Sequence, residues 1–228
     1  MNQNLPIGFV FFSGWAMPPD FFVPLQAALL QHFPHAKTHH IQPGYFGDAQ
    51  LGLPDWPHPI RWFGIGHSYG LMRLLCTPAP WQGIVSLCGF THFQAHGEVA
   101  QTLRQGLLEN CNTTLRRFYR LCALPGTLRP ATVTHPHTLL ADLDALLTCT
   151  AETLPATPLL ALAATDDEVV PPDLTRECFA APDIRWRDKT GHALGWFEPD
   201  WCAEQISTWL SQQPGQLPDS LSAQVNVA

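Results

Sequence analysis

Short apolar runs closed by turn residues alternate along this chain with stretches of helical spacing. Ile7 to Phe12 (IGFVFF) reads as a buried strand that runs into Ser13-Gly14-Trp15. Between Phe21 and Phe33, the residues Phe22, Leu25, Leu29 and Leu30 recur at the spacing of one helix face. His39 to Gln42 is a weaker strand ending at Pro43-Gly44. Arg61 to Ile65 is a strong one that runs directly into Gly66-His67-Ser68. A helix start follows over Leu71 to Cys76, then strands over Gly83 to Cys88 (GIVSLC), Pro158 to Ala164 (PLLALAA) and Ile184 to Arg187. Trp201 to Leu210 closes with an amphipathic helix. Continuous apolar strands separated by helices predict a mostly parallel sheet covered on both faces.

The stretch from about Gly97 to Leu147 breaks this rhythm, being helical in pattern and without a strand. It reads as an all-helical cap inserted into an α/β core. The core then comprises residues 1–96 and 148–210, and the cap comprises 97–147. The polar, Pro/Gly-punctuated residues 211–228 form a tail expected to be mobile.

A length of 228 residues and a hydrophobic fraction of 46% suit one packed domain with a sizeable core. A net charge of −7 argues against nucleic acid, which asks for a basic domain or stripe. Seven scattered cysteines form no CxxC pair and read as free thiols in the core. The N-terminus has no basic n-region, and Ile7–Phe12 is too short for a signal or a membrane span. The expectation is a cytoplasmic protein without a membrane partner, for which a monomer suffices.

Three signals then agree on one chemistry. Gly66-x-Ser68-x-Gly70 follows a strand and precedes a helix, the setting that exposes a serine beside a base and oxyanion donors. Asp166-Asp167-Glu168 follows the strand Pro158 to Ala164, where a carboxylate can orient a histidine. Gly191-His192-Ala193 follows the last strand and places a histidine on a loop. The order Ser, Asp, His is that of the α/β-hydrolase triad. Ser13-Gly14-Trp15, ending the first strand, would supply the Trp15 amide to the oxyanion hole, and the amide after the nucleophile is that of Tyr69. No metal or organic cofactor is needed. His39-His40 and His135-Pro136-His137 lack a carboxylate or cysteine at ligand spacing and read as surface or loop histidines. His67 reads as packed beneath the turn.

These residues resemble one family, the pimeloyl-[acyl-carrier protein] methyl ester carboxylesterases of biotin synthesis. Ser13-Gly14-Trp15-Ala16-Met17 is similar to the family's oxyanion loop, with Ser13 where relatives carry histidine. Asp167-Glu168-Val169-Val170-Pro171 is similar to its acid loop, which selects Asp167 over Asp166. Gly191-His192-Ala193 with Phe197-Glu198-Pro199 is similar to its histidine loop, and Leu115 to Leu121 is similar to a cap helix. The resemblance implies that Trp15, Phe118, Tyr119 and Cys122 line the substrate channel, and that an acyl-carrier protein is the partner. Charge points the same way. Residues 98–129 carry Arg104, Arg116, Arg117, Arg120 and Arg129 against Glu98 and Glu109. Arg116, Arg117 and Arg120 are the expected carrier contacts, since arginine recognises phosphate and carboxylate through its planar fork. Two other readings stay open: a short-chain carboxylesterase or thioesterase without a carrier partner, and a non-catalytic binding protein of the same fold.

Overall fold

The computed structural model describes residues 5–56, 60–93, 97–128, 133–148 and 156–213. Arg129, Cys149 and the greater part of the expected tail 211–228 lie outside the described residues. Six strands form one sheet: β1 (Ile7–Phe12), β2 (Lys37–Ile41), β3 (Arg61–His67), β4 (Trp81–Leu87), β5 (Leu159–Ala164) and β6 (Ile184–Arg187). Their order across the sheet is β2-β1-β3-β4-β5-β6, and every pairing is parallel. The near-continuous apolar strands foretold this, because a parallel sheet is buried on both faces.

The chain moves outward from β1 to β2, then returns and builds β3 to β6 in the other direction. Right-handed crossovers therefore put the helices after β1 and after β3 on opposite faces. The first, α1 (Val23–His32), packs against the last, α7 (Pro199–Ser211). The second, α2 (Tyr69–Leu75), lies over β1 and β3. The reversal between β1 and β3 leaves a crevice at the carboxyl ends of the strands, the usual ligand position in open α/β sheets. Register Phe12↔Gly66 sets the loop after β1 beside the turn after β3.

Between β4 and β5 stand α3 (Gly97–Leu121), a 3-10 turn at Gly126–Leu128 and α4 (Pro136–Thr148), with no strand among the described residues. α3 is broken at Asn110, whose backbone is extended (φ −158°, ψ 93°). There the Asn110 Oδ1 accepts the Thr113 amide at 3.0 Å and so caps the second half of the helix. Two helices, α5 (Pro172–Cys178) and α6 (Leu194–Phe197), are too short to show a face in the sequence pattern. β3 also runs to His67, two residues beyond its apolar run, and so carries the backbone straight into the site. No described helix is long and apolar enough to cross a membrane.

Candidate active site

Ser68 stands between β3 and α2 with φ 53° and ψ −129°, a left-handed conformation that costs a non-glycine residue roughly 1–3 kcal/mol. The surroundings hold it there. Its amide donates to the Leu87 carbonyl at 3.1 Å, and its carbonyl accepts the Leu71 amide at 3.0 Å. Only glycine fits at position 70, since a Cβ would lie 2.1 Å from the Phe12 carbonyl oxygen at the end of β1. Gly14 is seated as closely, its would-be Cβ 3.0 Å from the Ser68 Cβ and 2.7 Å from His67 Nδ1. The loop after β1 is thus pressed onto the serine turn.

Of the two aspartates after β5, Asp167 makes the bond to the histidine. His192 Nδ1 donates to Asp167 Oδ2 at 2.8 Å, with both side chains buried. The other oxygen, Oδ1, accepts the amides of Val169 (2.8 Å) and Val170 (2.9 Å), which fixes the carboxylate's orientation. Asp166 is a brace: its Oδ1 accepts the amides of Thr190 and Gly191, both at 3.2 Å, and so holds the His192 loop. The opposite ring nitrogen, His192 Nε2, is buried and makes no hydrogen bond among the described residues. The structure therefore brings Asp167 and His192 together but forms no Ser68–His192 hydrogen bond, an arrangement common before substrate closes the geometry.

His67 does pack beneath the turn, as its place in the sequence suggests, but the sequence does not show what it holds. It is fully buried, its ring centroid 4.7 Å from that of His192 and 4.3 Å from that of Phe21. Its Nε2 lies 3.0 Å from the His192 carbonyl oxygen. A carbonyl only accepts, so the proton sits on Nε2. Burial and the neighbouring His192 hold the His67 pKa well below the ordinary histidine value, keeping the ring neutral. The residue before the nucleophile thereby ties its turn to the loop of the histidine. A second neighbour that sequence reasoning missed is Cys88 at the end of β4, in left-handed conformation (φ 47°). Burial and the Asp167 carboxylate, to which its thiol donates, push the Cys88 pKa well up. No local motif marks Cys88, because its partners lie far along the chain.

Trp15, Ser68 and Tyr69 line one cavity, with Phe90, Phe93, Leu143 and Val169 among the other walls, enclosing about 410 Å³ of partly open space. Phe118 is part of this lining, with its ring edge-on to Trp15 at 4.8 Å. Tyr119 and Cys122 are buried in the same region but are not among the lining residues. α3 ends at Leu121, and Ala123 just after it is left-handed (φ 57°). The Trp15 indole N–H donates to the Leu139 carbonyl in α4 at 2.9 Å. α4 is tied again by the Tyr45 hydroxyl, which donates to Asp142 Oδ2 at 2.5 Å, with Arg73 of α2 3.9 Å away.

Arg116, Arg117 and Arg120 are exposed on α3 and form no ion pair among the described residues, whereas Arg104 pairs with Asp144 at 2.7 Å. His39 and His40 lie half-buried on β2, the strand that the sequence pattern marks there. Their Nε2 atoms bond Gly52 O at 2.9 Å and Gln26 Oε1 at 2.5 Å.

No family model matches the chain, and no curated protein matches it. Solved structures do. An esterase from Exiguobacterium antarcticum superposes with a TM-score of 0.68 at 13% identity, covering 92% of each chain. A lipase-esterase related protein from Clostridium acetobutylicum gives 0.63 at 14% identity, covering 91% of this chain and 96% of that one. BioG from Haemophilus influenzae gives 0.58 at 16% identity, covering 87% and 94%. At such identities the likeness is one of architecture, and it agrees with the sheet order and the strained serine turn: the chain has the α/β-hydrolase fold.

Proposed function

We propose that this protein is a serine carboxylesterase working through Ser68, His192 and Asp167. The observation that carries the reading is the buried 2.8 Å bond from His192 Nδ1 to Asp167, made on the loop that His67 joins to the serine turn. With its proton on Nδ1, His192 presents a lone pair at Nε2. It takes the Ser68 proton as Oγ attacks the ester carbonyl, and the Trp15 and Tyr69 amides receive the oxyanion. The protonated histidine then passes its proton to the leaving alcohol. Water hydrolyses the acyl-enzyme by the same steps in reverse. Asp167 stabilises the imidazolium in both halves. None of these steps calls on a cofactor.

The substrate we infer is the methyl ester of pimeloyl-acyl-carrier protein. Three things support it: the motif resemblance, an apolar cavity walled in part by α3 and α4 that suits an aliphatic chain, and the exposed Arg116, Arg117 and Arg120 on α3. Helices α3 and α4 then act as the cap. An acidic carrier protein would be drawn to such a patch from a distance. A short-chain esterase or thioesterase without a carrier is the second reading, favoured by the fact that none of these arginines reaches the cavity lining.

Ser68→Ala is expected to abolish p-nitrophenyl butyrate turnover and fluorophosphonate labelling while the fold is kept. Undiminished turnover in that variant rejects the serine mechanism, and an unlabelled wild type favours a non-catalytic protein. Reversing the charge of Arg116, Arg117 and Arg120 is expected to raise KM for a carrier-protein ester and spare a free methyl ester. Equal effects on both would leave the carrier partner without support.

A further inference from the structure

We propose that Cys88, Asp167 and His192 form a binding site for a thiophilic divalent cation such as Zn2+, whose occupancy switches the triad off. Binding stands on its own geometry; only its effect on turnover rests on the esterase reading. The Cys88 sulfur, a carboxylate oxygen of Asp167 and a ring nitrogen of His192 all lie within 4.8 Å of one another, and all three residues are buried. Thiolate, carboxylate and imidazole are the donors of three-ligand zinc sites. Bond lengths of about 2.0–2.3 Å place such donors roughly 3.3–3.8 Å apart around a tetrahedral ion. Closing up by about an ångström is within the reach of side-chain torsions.

Charge and proton balance fit. A thiolate and a carboxylate together neutralise a dication, so the buried site carries no net charge. The Cys88 thiol releases its proton to solvent as the metal–sulfur bond forms. The Nδ1 proton of His192 moves to Nε2, which has no partner among the described residues, and the freed Nδ1 lone pair takes the metal. An Nε2–H tautomer cannot accept the Ser68 proton. The metal therefore stops turnover without touching the nucleophile. Sulfur among the donors selects Zn2+ and Cd2+ over Mg2+ and Ca2+.

The test is a Cd2+ titration of the whole protein, read by the ultraviolet thiolate-to-metal charge-transfer band, beside Zn2+ inhibition of p-nitrophenyl butyrate turnover with and without EDTA. Ala16 and Ala123 already adopt left-handed backbone in this chain, so Cys88→Ala suits the φ of position 88. Wild type and Cys76→Ser, which alters an exposed thiol, are expected to show the band and EDTA-reversible inhibition. Cys88→Ala and His192→Ala are expected to weaken Cd2+ binding about tenfold or more, since even partners one shell further out cost that much. A Cd2+ affinity unchanged in Cys88→Ala, an absent band in wild type, or Zn2+ inhibition undiminished in Cys88→Ala overturns the site. If no ester is cleaved, the functional reading fails while the Cd2+ band still decides the metal site.

Discussion

Helices α3 and α4 lie side by side over the cavity, yet they are held by different forces. α4 is bonded to three separate parts of the core. Its Leu139 carbonyl takes the Trp15 indole, its Asp142 takes the Tyr45 hydroxyl, and Arg73 approaches the same carboxylate. The Tyr45 carbonyl also accepts the amides of Thr134 and His135, just ahead of the helix. α3 rests on its apolar stripe, with Leu107, Leu115 and Phe118 buried, and is interrupted at Asn110. Its ion pair to α4, Arg104 with Asp144, is largely exposed. Directional bonds fix position where apolar contact fixes only area. α4 is therefore tied to the core and to the loop proposed to hold the oxyanion, and α3 is expected to yield more readily to a substrate.

The largest expected effect breaks the bond between α4 and the loop proposed to hold the oxyanion. Trp15→Phe keeps the ring against Phe118 but loses the indole donor. It should lower kcat up to about a hundredfold, approaching the loss of one oxyanion donor. KM should change far less, and steady-state kinetics on p-nitrophenyl butyrate read the split. Next comes Tyr45→Phe, which strands the half-buried Asp142 carboxylate. A loss of about 1–3 kcal/mol in urea unfolding is expected. The pH dependence of Asp142 sharpens the same point. Burial holds its carboxyl above the usual range, so the folded state binds the proton more tightly than the unfolded state. This group therefore disfavours the fold at neutral pH, and that cost fades as the pH falls through the raised value toward 3.8. Asp142→Asn lacks this dependence, so its stability relative to wild type should be highest near neutrality and fall on acidification. The smallest effect belongs to α3: Arg104→Ala should cost less than about 1 kcal/mol in thermal unfolding, as exposed pairs do. A larger loss would place α3 with α4 as a bonded element.

Much of the sheet and of the candidate site is legible in the sequence alone, for a local reason. IGFVFF and GIVSLC declare buried strands within themselves, and Gly66-x-Ser68-x-Gly70 packs its own turn chemistry into five positions. The residues alone do not choose between Asp166 and Asp167, since both sit on the right loop. The family resemblance makes that choice, and the 2.8 Å bond agrees with it. In the sequence Cys88 is an ordinary core thiol and His67 only packing, because their roles are set by residues brought near by the sheet order. Tyr45 and Asp142 are likewise separated by 97 positions, and no periodicity announces such a pair.

The packing of α7 on α1 bears on how the chain must be made. α1 turns Leu25, Ala28 and Leu29 toward a surface that α7 helps to cover, with Ile206, Trp209 and Leu210 on its own inner side. α1 leaves the ribosome early and α7 leaves it last of the described helices. For nearly all of synthesis the nascent chain shows bare apolar surface on that side of the sheet, the condition that recruits chaperones and seeds aggregation. A chain halted before Pro199 would carry every residue of the proposed triad and still lack the helix that seals this face.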